Sequence, residues 1–333
     1  MNEQQAIPLE VYQGRKQALG PGFNPTSLAD IMAMKFEPLS WAVEGYLPEG
    51  LSILAGRQKL GKTWLALDFA IAVSMGGAAM GSIFCEEGDV LYCDLENGYR
   101  RIQGRIQIVA GNHEQKPWLD RLQVATECRP LDKGLIDDLE TWRRSVSSPR
   151  LVVIDVLQRV KPQGKPGSNS YENDYAALSH LQAWATENRV AVLVLHHTRK
   201  GGADDPLEAL NGSNGLSACA DTTLVLDRDG NGITLYVRGR DVEEKETALR
   251  FDGGYWSIMG EAAEVRRSDQ RSGIIEALWE ADELMNPRDI AVSANLARNS
   301  TDQLLMKMVK AGEIIKVKRG WYAHPNRKDL IDP

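Results

Sequence analysis

Between Leu51 and His197 the chain alternates two kinds of apolar pattern. Short continuous runs (LSILAG, DVLYCDLE, LQVATE, RLVVIDV, VAVLVLHH) are separated by longer stretches whose apolar residues recur at helical spacing (TWLALDFAIAVSMG, YRRIQGRIQIVAG, LIDDLETWRRSV, YENDYAALSHLQAWATENR). Strand then helix, repeated, is the pattern of a mainly parallel sheet with helices on both faces, so an α/β fold is expected. The following segment, DTTLVLDRDGNGITLYVRGRDVEEKETALRFDGGYWSIMG, has short strands divided by turns such as Asp229-Gly230-Asn231-Gly232. That predicts an antiparallel extension at one sheet edge.

The 333 residues exceed one large domain of about 200 to 250 residues, so a smaller second domain is expected. Residues 1–40 are polar and turn-rich, with one short helix expected around Leu28 to Lys35, and read as an arm. The α/β core then spans 41–260. Residues 261–269 (EAAEVRRSD) are charged and lack an apolar period, which marks a linker. In 270–333, SGIIEALWEAD, PRDIAVSA and STDQLLMKMVKAGE read as three short helices, and EIIKVKRGWYAHP as a β-hairpin turning at Arg319-Gly320. Three helices and a hairpin follow the winged-helix order, in which the third helix usually faces DNA. Duplex DNA and a docked protein both remain open as the partner of that unit.

A net charge of −7 excludes a uniformly basic, nucleic-acid-coating surface but leaves room for local basic loops. Cys85, Cys93, Cys128 and Cys219 form no CxxC pair, which argues against a zinc site or disulfide framework and favours a reducing, cytoplasmic location. The N-terminal MNEQQAIPLEVYQGRKQ has no apolar signal core and no run reaches membrane-spanning length, so no membrane partner is expected.

Within the core, Gly56-Arg57-Gln58-Lys59-Leu60-Gly61-Lys62-Thr63 fits G-x-x-x-x-G-K-[ST] between a buried strand and a helix, and Trp64 continues into that helix. Backbone N–H groups of such a loop, with the helix N-terminus behind them, cradle phosphate oxygens. Lys62 would reach the β and γ phosphates and Thr63 would hold Mg²⁺ through its hydroxyl. No N-K-x-D guanine-reading motif follows, so ATP is preferred over GTP. Asp155 ends the apolar run Leu151-Val152-Val153-Ile154 and is the candidate metal carboxylate. Glu96, ending the Asp89–Glu96 run, is the candidate base for the attacking water, with Asp94 as its competitor. His196 and His197 end another strand. Adjacent strand residues point to opposite faces and chelate poorly, so a γ-phosphate sensor is the better reading, with His197 preferred.

In this order, GRQKLGKT, LYCDLE, LVVIDVLQRV, VLVLHHTRK and LYVRGRDVEEKETALRFD resemble the RecA-like ATPase core of hexameric replicative helicases over roughly residues 40 to 260. The plasmid RepA type is the nearest pattern, and the C-terminal winged helix is an addition to it. The resemblance implies a homo-oligomeric ring, a hexamer in the family, with ATP between neighbours and single-stranded DNA threaded through the centre. It gives Lys62, Thr63, Glu96, Asp155 and His197 the roles reached above. It also implies that Arg238 and Arg240, flanking Gly239, reach across the interface to a neighbour's ATP. The family's DNA-facing loops correspond here to segments carrying Arg159, Lys161 and Lys165 and then Arg199 and Lys200. The chain shows no counterpart to the large N-terminal domain of DnaB-type helicases, so the core and the 1–40 arm are expected to hold any ring. The implied activity is ATP-dependent travel on DNA in replication of a mobile element, or, alternatively, an ATP-switched initiator, loader or recombination mediator.

Overall fold

The computed structural model describes residues 25–110, 117–162, 170–198 and 214–331. Residues up to Leu39 form one unit and those from Ser40 another. In the first, Ser27 caps helix α1 (Leu28–Ala33), whose Leu28 and Met32 are exposed.

The second unit is built on a nine-stranded sheet. In chain order its elements begin with the short pair β1 (Trp41–Val43) and β2 (Leu47–Pro48), then β3 (Gly50–Gly56) and α2 (Lys62–Met75). A second short pair, β4 (Ala78–Ala79) and β5 (Ile83–Phe84), precedes β6 (Asp89–Asp94), α3 (Tyr99–Ala110), β7 (Leu122–Ala125) and α4 (Leu135–Ser145). Then come β8 (Pro149–Asp155), α5 (Leu157–Val160), α6 (Ser170–Asn188), β9 (Ala191–His197) and α7 (Asn214–Cys219). Four strands, β10 (Thr222–Asp229), β11 (Gly232–Gly239), β12 (Lys245–Asp252) and β13 (Tyr255–Glu261), complete the sheet. Its order is β13-β12-β11-β10-β3-β9-β8-β6-β7. The strands from β10 to β7 pair in parallel, whereas β10 to β13 form an antiparallel meander. The parallel sheet with an antiparallel edge is thus present as the patterning predicts.

Alternation along the strands decides what each face meets. Leu54, Val90, Tyr92, Leu151, Val153, Leu193 and Leu195 share one core with Leu65, Phe69 and Val73 of α2. Ile53, Ala55, Val152, Ile154, Val192 and Val194 enter the other, with Leu139 and Trp142 of α4 and Leu181 and Trp184 of α6. Both faces are covered, which is why these strands read as unbroken apolar runs. Helix α2 is buried over most of its length because α3, β1 and β4 flank it as well as the sheet.

The chain ends with α8 (Ala262–Glu280), α9 (Pro287–Ser293), α10 (Arg298–Ala311), the hairpin β14 (Ile315–Lys318) and β15 (Trp321–Ala323), and α11 (Lys328–Ile331). The expected 261–269 linker is not irregular: from Ala262 it is the first half of α8. There Arg266 meets Glu246 at 3.6 Å and the Tyr236 hydroxyl at 3.3 Å, while Ile274 and Leu278 farther along pack with Ile290, Leu305, Met308 and Tyr322. One helix therefore ties the meander to the C-terminal helices. Its first half has no apolar period because polar groups make its contacts, and Ala262, Ala263, Glu264, Arg266 and Arg267 favour helix intrinsically. Among the described residues no helix is long and apolar enough to cross a membrane.

Candidate active site

The loop between β3 and α2 forms one wall of a cleft of about 650 Å³, within the range of small-molecule sites. Gln58, Lys59, Leu60, Gly61, Lys62, Thr63 and Trp64 line it on this side. Gly56 lies against the Leu226 carbonyl of β10, and Gly61 (φ 103°) packs so closely on Trp256 of β13 that a Cβ would stand 2.6 Å from the indole. The meander therefore braces the loop from beneath. Arg57, exposed, is 3.9 Å from Asp227. The Lys62 side chain is buried, and its Nζ donates to the carbonyls of Gly56 (2.6 Å) and Arg57 (2.8 Å). Burial lowers its pKa to about 8, against the pull of Asp155 and Glu96.

Strand parity brings the other groups to the same place. Tyr92, Asp94, Asp155 and His197 all fall on the positions of β6, β8 and β9 that face α2. Asp155 is 1% exposed, bonded to the Thr63 hydroxyl, and accepts from the Tyr92 hydroxyl at 3.2 Å. Burial raises its pKa to about 6, moderated by the Thr63 bond. The buried Tyr92 hydroxyl is pushed well above its ordinary value by the same desolvation, with the Asp155 charge adding to it.

Asp94 and Glu96 divide their work. Asp94 is buried, and its Oδ1 accepts from the Asn97 N–H (3.0 Å) and amide (2.9 Å), fixing the turn after β6. That turn puts Glu96 and Asn97 on the cleft wall. His197 Nε2 stands 3.8 Å from Glu96 Oε2, and its pKa is lowered by burial and by the Lys62 charge. His196 falls on the opposite parity, away from α2.

The cleft also takes residues that the motif reading missed: Asn97, Arg101 and Arg105 at α3, and Arg228, Ile233 and Phe251 from the meander. Arg101 donates to Asn97 Oδ1 at 2.8 Å, and Arg105 lies 5.6 Å from the Trp64 ring centre. Arg101 and Arg105 are spaced to share one face of α3, a signal visible in RRIQGR.

Arg238 and Arg240 are not in this cleft. Arg238 pairs with β10 at Thr223, which is level with Ile53 rather than Gly56, so both arginines sit toward the other end of β3. Arg238 binds Glu244 (2.6 Å) and Arg240 binds Asp221 (3.1 Å) beside a smaller hollow. Arg159 lies in the helical turn α5 rather than in an irregular loop, exposed, with Lys161 half-buried after it. Lys165, Arg199 and Lys200 lie outside the described residues.

A family model described as AAA domain matches residues 20–203, more than half of the chain. The chain belongs to the AAA domain family. This AAA domain chain is similar to a solved structure of a helicase-class ATPase domain, with 19% identity and a TM-score of 0.50, covering 63% of this chain and 84% of that one. It is similar also to a DnaB-like replicative helicase, described with its interactions with primase, at 19% identity and a TM-score of 0.50. That match covers 64% of this chain and 58% of the other. At such identity the likeness shows the fold: a RecA-like P-loop ATPase core. No curated protein matches the sequence.

The donors suit the cargo of such a core. Thr63 and Asp155, two hard oxygen donors already in contact, fit Mg²⁺, and a loop of backbone N–H groups with Lys62 beside it fits a nucleoside triphosphate.

Proposed function

We propose that this protein is an ATP-driven DNA helicase or translocase of the RepA type, acting on single-stranded DNA in replication of a mobile element. ATP would be hydrolysed between copies arranged as a ring, most simply a hexamer. The observation that carries the reading is the meeting of Lys62 and Thr63 with Asp155, Glu96 and His197 at the ends of β3, β8, β6 and β9. Bound Mg²⁺ would neutralise phosphate charge. Lys62 would hold the phosphate oxygens, Glu96 would take the proton of the attacking water, and His197, beside Glu96, would sense the γ-phosphate and pass its presence to β9. Arg101 and Arg105 would hold the nucleotide from the α3 side. Arg238 and Arg240, remote from the cleft of their own chain, suit a neighbour's ATP. Arg159, Lys161, Lys165, Arg199 and Lys200 would grip backbone phosphates without reading bases.

A second reading is favoured by the C-terminal helices and hairpin, which follow the winged-helix order: an ATP-switched initiator, loader or recombination mediator without processive unwinding. ATP hydrolysis stimulated by single-stranded DNA, lost in Lys62→Ala, tests the site. Lys62→Ala hydrolysing at the parent rate would overturn it. Unwinding of a forked substrate favours the motor; stimulated hydrolysis without unwinding favours the switch.

A further inference from the structure

The C-terminal helices and hairpin carry a charge balance opposite to that of the rest of the chain. Residues 281–331 hold nine Lys and Arg against six Asp and Glu, in a chain of net charge −7. Several of those acids are already engaged: Asp302 with Arg298 (3.2 Å), Glu313 with Arg271 (3.2 Å), Asp329 with Arg327 (2.9 Å) and Asp289 with the Asn286 amide (2.6 Å). Lys307, Lys310, Lys316 and Arg319 are exposed, and none has an acidic partner among the described residues.

The arrangement of these cations follows from the packing. Helix α10 sends Leu304, Leu305 and Met308 into the C-terminal core. Its outer face then carries Asn299, Gln303, Met306, Lys307 and Lys310, all exposed and with no acid among them. Amides occupy the N-terminal half and lysines the other. In β14, Ile315 and Val317 turn inward by alternation, leaving Lys316 and Lys318 exposed before Arg319 at the turn. Ile314 and Tyr322 share the α10 core, which docks the hairpin against that helix.

We propose that α10 and the β14–β15 hairpin form a second nucleic-acid site, one that takes duplex DNA. Unpaired lysines release condensed counterions when they meet phosphates, which supplies affinity. Asn299 and Gln303, near the N-terminus of α10, are the residue types that pair bidentately with adenine in the major groove, at the end of a recognition helix that meets base edges. An acidic protein face would engage the lysines but make no use of the amides. The inference stands independently of the ATPase reading, since no group of the nucleotide cleft enters it.

The test uses the full chain with a labelled mixed-sequence duplex of about 30 base pairs and a single strand of equal length, read by fluorescence anisotropy at roughly 50 and 200 mM salt. Lys307→Glu/Lys316→Glu/Lys318→Glu, changed only at exposed positions, should weaken duplex binding at least about tenfold and flatten its salt dependence, with single-strand affinity kept. Asn299→Ala/Gln303→Ala should narrow the difference between A·T-rich and G·C-rich duplexes. Lys62→Ala should bind duplex as the parent does, even where it hydrolyses no ATP. Duplex binding unchanged in the charge-reversed chain would overturn the proposal. So would equal loss of duplex and single-strand binding, or a parent that binds no duplex at the lower salt; the last result would give the surface to an acidic protein.

Discussion

His197 and Glu96, which end strands separated by β8, approach to 3.8 Å between Nε2 and Oε2. Each reaches the cleft by a different route. His197 is placed by strand parity, Glu96 by the turn that Asp94 holds. A proton taken up by Glu96 and a shift of β9 are therefore felt at one point. Glu96→Gln should lower ATP turnover by about 10²- to 10⁴-fold while ATP binding, measured with a fluorescent analogue, persists. His197→Ala should keep basal turnover closer to the parent's but lose its stimulation by single-stranded DNA. Full stimulation in that variant would remove the sensor role.

Two glycines of the core should respond to alanine with opposite signs. Gly61→Ala would set a Cβ 2.6 Å from Trp256 Cζ2 at a φ that L residues rarely adopt, and Trp256 is fully buried. We expect a loss of roughly 1–3 kcal/mol in urea unfolding, together with weaker ATP binding. Gly104, inside α3, has nothing within 4 Å of its Cβ position, so Gly104→Ala should gain about 0.5–1 kcal/mol. Equal effects at the two sites would contradict the bracing of the loop by the meander.

Asp68 gives a pH signature. It lies buried in α2, accepts the Met80 N–H at 2.6 Å, and has its pKa raised to about 6 by burial. Between the unfolded value near 3.8 and about 6, the folded chain keeps a proton that the unfolded chain has released. This group's contribution to stability therefore falls as pH rises through that window and stays low above it. Asp68→Asn keeps an acceptor for Met80 and removes the penalty. It should be more stable than the parent by up to about 3 kcal/mol at pH 7, with the gap shrinking toward pH 4. A gap that does not change with pH would show that the carboxyl is not desolvated.

Much of this arrangement is legible in the sequence because burial on two faces leaves an unmistakable record. The runs ending at Gly56, Asp94, Asp155 and His197 are apolar because both neighbouring layers demand it, and parity alone separates His197 from His196. The pairs β1–β2 and β4–β5 are too short to hold a period. The first half of α8 is silent for the opposite reason: it docks through Arg266 rather than through an apolar stripe. The contact of Gly61 with Trp256 joins positions far apart in the chain, and no local pattern could announce it. Arg101 and Arg105 are different. Their spacing is readable, but without a placed α3 nothing aims them at the loop.

The last prediction concerns Arg240. Its partner Asp221 is fixed by three further bonds, accepting the Leu51 N–H at 2.9 Å and the Gln182 amide at 3.1 and 3.3 Å, whereas the arginine itself remains 62% exposed. An exposed ion pair of this kind contributes at most about 1 kcal/mol, so a neighbour's phosphates could draw the guanidinium away at little cost. If it acts in trans, Arg240→Ala and Glu96→Ala should each be inactive alone in ATP hydrolysis. Mixed in equal amounts, they should regain activity, because about a quarter of head-to-tail interfaces would join an intact Glu96 to an intact Arg240. The recovered rate should peak near equal mixing and vanish at either end. A mixture no more active than the sum of its parts would confine Arg240 to its contact with Asp221.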